Sequence, residues 1–401
     1  MTLPKTWKLG TLNDVISCIR GGFSVKCEDR QASPSEMGVL KTGAVLNGRF
    51  NPFQNKYVPP SEHRFLRTPV TGGTIVFCRK NSEDIIGATA LVERDVPNIF
   101  LSDLLWEICT AVNIDQYWLI SNLQSYRIRK LIQVEATGTQ STMKNISQDR
   151  LLGVQIRIPP LPEQHKIAEI LRTWDEAIVK LEALRAAKER RYEAIAQRLF
   201  DPCHPTFHDR PSTWREFELG DVFRERNQLG EEGDRLLSIT MNGGVINRDD
   251  VGRKDTSTED KSNYKLILPG DIGYNTMRMW QGVSGLSALR GIISPAYTVV
   301  TPAANWVLGR YAAHLFKSRR MVFGFERYSQ GLTSDTWNLK FPAFSKIRVF
   351  LPPVEDQEKQ ANLLDVSMAE ITVLGKQIET LTRQKHGLMQ RLLTGEWRVA
   401  V

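Results

Sequence analysis

The chain is written twice. Trp7-Lys8-Leu9-Gly10-Thr11-Leu12-Asn13-Asp14-Val15-Ile16 returns as Trp214-Arg215-Glu216-Phe217-Glu218-Leu219-Gly220-Asp221-Val222-Phe223. Ile158-Pro159-Pro160-Leu161-Pro162-Glu163-Gln164 returns as Leu351-Pro352-Pro353-Val354-Glu355-Asp356-Gln357, and Gln197-Arg198-Leu199-Phe200 as Gln390-Arg391-Leu392-Leu393. The last two echoes share one offset (357 − 164 = 193 and 390 − 197 = 193), whereas the first lies at 214 − 7 = 207. Each copy is therefore a globular region followed by a segment of fixed length, and the second copy is about 14 residues shorter in its globular part. A period near 200 residues is a domain duplication, not a solenoid.

The fixed-length segments read as long helices. Ile167, Leu171, Trp174, Ile178 and Leu181 step by 4, 3, 4 and 3, and Leu184, Tyr192, Ile195 and Leu199 carry the stripe onward. Leu364, Met368, Ile371, Leu374, Ile378 and Leu381 repeat the pattern, followed by Leu388 and Leu392. That alternation is a coiled-coil seam. Pro162 and Pro353 fall where a helix start tolerates proline, Glu163 and Glu355-Asp356 add first-turn negative charge, and Gly395 suits a C-terminal stop. At 1.5 Å per residue each helix reaches roughly 50–60 Å. Neither stripe is stable alone, so the economical arrangement is an antiparallel, pseudo-twofold pair with a globular domain at each end.

In the globular regions Thr74–Phe77, Leu104–Ile108, Tyr264–Leu268 and Tyr297–Val300 read as buried strands, and Trp118–Leu123 and Leu308–Phe316 as helices. The fold class is α/β, mixed α+β. The expected division is globular domain 1 over 1–160, helix 161–200, linker 201–213, globular domain 2 over 214–353, helix 354–395 and tail 396–401.

Composition removes several classes. With 41% apolar and 24% charged residues, the 401-residue chain is ordinary globular material. It has no apolar run long enough to span a membrane, and its Met1-Thr2-Leu3-Pro4-Lys5 start lacks a secretory core. Five cysteines without a C-x-x-C pair indicate neither a disulfide framework nor a zinc ribbon and agree with a cytoplasmic location. The cluster Cys203, His204 and His208, set among prolines, reads as linker, so no metal site is expected.

No catalytic signature is present. Neither a phosphate-binding G-x-x-x-x-G-K-[ST] loop nor a G-x-G-x-x-G loop occurs, so no cofactor is expected on this chain. Asn51-Pro52-Phe53-Gln54 lacks one proline of the N-P-P-[FY] tetrad of adenine methyltransferases and reads as a proline turn. The six histidines are scattered, and no nearby Ser or Cys motif suggests a nucleophile.

The loops carry polar and basic residues suited to nucleic acid. In copy one these are Arg79, Lys80 and Asn81 after a strand, and Thr139, Gln140, Ser141, Thr142 and Lys144 in the loop opened by Gly138. In copy two they are Tyr274, Asn275, Arg278 and Trp280 after a strand, and Gln330, Thr333 and Ser334 in the place of the Gly138 loop. Lys41, Asn242 and Arg253 join them from other loops. Arg, Asn and Gln pair with guanine or adenine edges, while Lys, Thr and Ser suit phosphate oxygens. Cys78-Arg79-Lys80-Asn81 stands where copy two has Tyr274-Asn275-Thr276-Met277. The net charge of +8 is compatible with a polyanionic partner and does not by itself identify one.

With these residues assembled, the chain resembles the DNA specificity subunits of type I restriction-modification systems. The resemblance covers nearly the full length. It rests on the duplicated layout, the two Pro-Pro-x-x-[ED]-Q junctions, Leu388-Met-Gln-Arg-Leu-Leu-Thr-Gly395, and Pro269-Gly-Asp-Ile-Gly-Tyr-Asn-Thr-Met277 with Ile293-Ser-Pro-Ala-Tyr297. It implies two target-recognition domains, each reading half of a split, asymmetric site in double-stranded DNA. The helices would set the unread spacer and dock two methyltransferase (modification) subunits, which supply S-adenosylmethionine binding and N6-adenine methylation. Separate restriction (motor-nuclease) subunits would bring ATP hydrolysis, Mg2+ and cleavage, so this chain is not an enzyme on its own. Two other readings remain: a self-sufficient methyltransferase or nuclease, marked by tight S-adenosylmethionine binding to the isolated chain, and a coiled-coil adaptor indifferent to DNA.

Overall fold

The structure is a computed structural model that describes residues 3–138, 143–201, 213–231, 233–241, 243–252, 260–333 and 335–400. The chain divides into two compact units, Met1–Leu181 with Gln377–Val401, and Glu182–Lys376.

The centre of the first unit is a four-stranded antiparallel sheet in the spatial order Ile16–Gly21, Leu105–Thr110, Thr74–Cys78, Thr89–Val92. Side chains alternate across it. Ile75, Phe77, Trp106 and Ile108 face the helices Gln116–Gln124 and Tyr126–Glu135 through Trp118, Leu119, Ile128 and Ile132. Val76, Cys78, Ala90 and Leu105 form a second apolar layer with Leu40, Val45 and Ile99. Helix starts are fixed locally: Asp115 and Ser125 accept N–H bonds from Trp118 and Ile128.

The second unit repeats this order with Phe223–Glu225, Tyr297–Pro302, Ile272–Asn275 and Ser284–Leu286, all antiparallel. Helices Gly309–Leu315 and Arg319–Tyr328 follow, the latter capped by Ser318. Outside the shared sheet the units differ. The first adds a three-stranded sheet (Asn55–Tyr57, Gly38–Leu40, Ile99–Phe100), the second a hairpin Leu237–Thr240/Gly244–Asn247 and a pair Lys265–Ile267/Gly291–Ile293.

The repeated junctions have a mechanical role. Lys8–Thr11 pairs with Gln155–Ile158, and Arg215–Glu218 with Arg348–Leu351, just before each long helix. Gln164 is buried; its Oε1 accepts the Asp115 N–H at 2.9 Å and its Nε2 donates to the Pro159 carbonyl at 2.9 Å. Gln357 is also buried; it accepts from the Leu308 N–H at 3.0 Å and donates to the carbonyls of Pro352 (2.9 Å) and Trp306 (2.8 Å). One amide thus ties the start of a globular helix to the start of a long helix, once in each unit.

The long helices are Leu161–Phe200 and Val354–Thr394, 40 and 41 residues. Each unit holds part of both, antiparallel. In the first unit Glu163 meets Arg398 beyond the end of the second helix, while Asp175 meets Lys385 at 2.6 Å. In the second, Lys188 pairs with Glu370 at 2.7 Å, and Ala196 and Phe200 share a core with Ala361 and Leu364. Ile167, Leu171, Ile178, Leu364, Ile371 and Leu374 are buried, whereas Trp174, Leu181, Met368, Ile378 and Leu381 are half-buried. Leu184, expected to extend the stripe, stands exposed. Gly395 adopts φ +74° immediately after Thr394 and stops the helix.

One pairing departs from the cysteine reading. Cys18 and Cys109 stand opposite each other in the ladder and form a disulfide, with Cα atoms 5.1 Å apart. Their 91-residue separation closes only through sheet pairing, which spacing along the chain does not reveal.

Candidate nucleic-acid interface

In the first unit the candidate loops converge at the end of the strand Thr74–Cys78. Lys80–Asn81 forms a two-residue ladder with Lys144–Asn145, and Asn145 bridges back to Thr137. Asn81 is held rigidly: its Nδ2 donates to Thr42 Oγ1 at 2.9 Å and its Oδ1 accepts the Ser82 N–H at 2.8 Å. Arg79 is a strut, with Nε donating to the Asp103 carbonyl at 2.7 Å and the guanidinium 5.5 Å from the Trp106 ring centroid. Lys80 and Lys144 are half-buried and make no ion pair among the described residues. Lys41 lies 3.8 Å from Asp29, a carboxylate shared with Lys56. Thr139, Gln140, Ser141 and Thr142 lie outside the described residues.

In the second unit the turn after Ile272–Asn275 is built by Asn275, whose Oδ1 accepts the Met277 N–H at 3.0 Å. Trp280 donates Nε1–H to the Met277 carbonyl at 3.1 Å and packs edge-to-face on Trp337, centroids 5.3 Å apart. Arg278 projects from this turn, exposed and without a side-chain partner among the described residues. Gln330 pairs by backbone with Asn338, and Thr333 and Thr336 close the tip between them. Leu339 N–H donates to the Thr276 carbonyl at 2.8 Å, joining the two loops. Asn242, Arg253 and Ser334 lie outside the described residues, as do Cys203, His204 and His208.

These bonds set the equivalence between units, and it is shifted by one residue from the sequence correspondence of Cys78 with Tyr274. Ile146 N–H donates to the Arg79 carbonyl at 3.1 Å as Leu339 does to that of Thr276, so Arg79 corresponds to Thr276 and Phe77 to Tyr274. Tyr274 therefore belongs to the sheet. It is fully buried, stacked on Phe344 at 5.1 Å, and burial pushes its hydroxyl pKa well up. It cannot touch DNA from there. Its aromatic ring resembles a loop-end residue in sequence, and only strand register shows which side of the sheet end it occupies. The offset of 193 extends back through the loop, since Thr137, Gly138 and Asn145 match Gln330, Gly331 and Asn338. Gly138 and Gly331 adopt nearly the same left-handed backbone, φ +151° and +146°. Trp337 and Thr42, which shape the two surfaces, were missed in the sequence because neither belongs to a motif.

Two sheets of one order, each ending in a tied pair of polar loops with different residues, on halves of two long helices, define a duplicated scaffold presenting two unlike surfaces. The family model described as Type I restriction modification DNA specificity domain matches residues 4–188. A putative type I restriction enzyme MjaX specificity subunit of Methanocaldococcus jannaschii is 23% identical over 418 aligned positions, spanning 99% of this chain and 95% of the relative. The type I restriction enzyme EcoEI specificity subunit of Escherichia coli is 24% identical over 202 positions, 50% of this chain and 34% of the relative. The crystal structure of a type I restriction-modification S subunit from M. genitalium superposes with a TM-score of 0.60 at 16% identity, covering 98% of both chains. A structure from work on complex assembly and conformational transition of the type I R-M system gives 0.55 at 16%, covering 99% of this chain and 100% of that one. The chain is thus similar to type I restriction-modification specificity subunits, by a family model over residues 4–188, by relatives over nearly its full length, and by fold.

Proposed function

We propose that this chain is the non-catalytic, sequence-reading subunit of a type I restriction-modification complex, each globular unit reading one half of a bipartite, asymmetric DNA site. The observation that carries this reading is the repeated loop pair. The same hydrogen bonds hold it in both units, while the residues it presents differ: Lys80, Asn81 and Lys144 in one, Arg278, Gln330 and Thr333 in the other. A shared frame with unlike contacts suits two different half-sites.

The two long helices are proposed to fix the unread spacer and to dock two methyltransferase subunits. Those partners would bring S-adenosylmethionine, and restriction subunits would bring ATP and Mg2+; this chain's own task is to position them on DNA. The work is cytoplasmic on this reading. Among the described residues no helix is long and apolar enough to cross a membrane. Single-molecule methylation sequencing of cells carrying this chain with its partners is expected to show one split motif, lost when the chain is deleted. A continuous motif, or methylation that survives deletion, overturns the proposal.

A further inference from the structure

Beside each candidate loop pair runs a short helix whose outer face nothing covers among the described residues. In the second unit this is Arg319–Tyr328, which packs inward through Met321 and Phe325. Its solvent face is a straight row at four-residue steps: Arg319, Phe323 and Arg327. Phe323 is 59% exposed, an unusual place for a large apolar ring, and the Arg327 guanidinium lies 5.8 Å from its centroid. Arg320 is committed elsewhere, to Asp201 at 3.3 Å and to the Phe350 ring. The equivalent row in the first unit, 193 residues earlier, is Tyr126, Lys130 and Val134 on the helix Tyr126–Glu135. It too is exposed throughout, with Lys130 5.8 Å from the Tyr126 ring.

We infer that the Arg319–Phe323–Arg327 row is a second DNA-contacting surface, lying over a major groove with one arginine on each phosphate wall and Phe323 over the base edges. The inference rests on the DNA-reading function proposed above and adds an element to it. Eight residues of helix separate the arginines by roughly 12 Å, about the width of the B-DNA major groove. A phenyl ring held between them is placed for the methyl group of thymine, the one apolar feature of that groove. Continuity favours duplex DNA over a protein partner. The helix ends at Tyr328, with only Ser329 before the Gln330 loop, and the Arg278 turn lies against it, with a Cβ on Gly282 falling 3.2 Å from Val322.

The test uses the full chain assembled with its methyltransferase partners, on the duplex identified by methylation sequencing, with affinity measured across a salt series. Arg319→Ala and Arg327→Ala are each expected to weaken binding uniformly across sequences and to lower the salt slope by roughly 1. Phe323→Ala is expected to leave the slope alone and to abolish discrimination between thymine and deoxyuridine at one position. Slopes and thymine preference unchanged, in a complex that still binds its site and still weakens on Arg278→Ala, overturn this inference and spare the broader reading. Loss of subunit assembly in place of a slope change also overturns it, since the row then faces protein. No binding to duplex by the wild-type complex at low salt would remove both.

Discussion

Arg278 illustrates how much a single loop position can decide. It is exposed at the tip of a turn fixed by Asn275 and by the Trp280–Trp337 contact, and its guanidinium has no partner among the described residues, so on the proposed function it is placed to meet a base edge. Arg278→Ala is expected to cost about 1–3 kcal/mol of discrimination at one base pair, read from binding to single-substitution duplexes. A loss equal for all sequences would place it on a phosphate. Buried residues give the opposite kind of prediction. Tyr311 is fully enclosed beside Phe200, and its hydroxyl has no hydrogen-bond partner among the described residues. An unsatisfied buried hydroxyl costs roughly 1–3 kcal/mol, so Tyr311→Phe should raise the thermal midpoint. A lowered midpoint would mean that the hydroxyl has a partner.

At the scale of elements, the junction glutamines and the links between globular helices and long helices control how each domain is mounted. Gln357→Leu leaves the Leu308 N–H and the carbonyls of Trp306 and Pro352 unpaired and is expected to destabilise by on the order of 3 kcal/mol, seen as a lower urea midpoint. The second unit adds a chain of contacts at His314: Tyr192 Oη lies 2.8 Å from Nδ1, and Asp365 Oδ1 lies 2.7 Å from Nε2. Burial lowers the His314 pKa below its ordinary value, Asp365 pulls it back up, and Lys317 and Arg310 push it down again. Because the folded value lies below the unfolded one, this group stabilises the fold above about pH 6.5, and that contribution is lost as pH falls through the folded value. His314→Gln should flatten the stability profile below about pH 6.5. A profile of unchanged steepness would assign the acid sensitivity elsewhere. The first unit has no histidine at the matching place. There Tyr117 donates to Asp175 at 2.6 Å, Lys385 pairs with the same carboxylate, and Ser121 stands at the position of His314.

For the whole molecule the proposed consequence of two long helices is a spacing rule. Deleting a matched heptad from each helix, around Leu181 and around Gln377, keeps the seam in phase and shortens it by roughly 10 Å, about three base pairs of B-DNA. The expected outcome is a methylated motif with the same two half-sites and a spacer shorter by about three positions. An unchanged spacer would separate helix length from site geometry.

Periodic and repeated features were legible in the chain itself. The duplication, the two amphipathic helices and their glycine stop, and the buried strands were all readable from residue spacing, because local backbone preference and apolar period act along the sequence. Folding in three dimensions decided what depends on register between distant segments. Sheet pairing joined Cys18 to Cys109, moved Tyr274 out of the loop and into the core, and tied the Arg278 turn to Trp337. It also left Arg319, Phe323 and Arg327 on an open face. A one-residue shift in a strand reverses which side every side chain occupies, and nothing in a short stretch of sequence encodes that shift until its partner strand is in place.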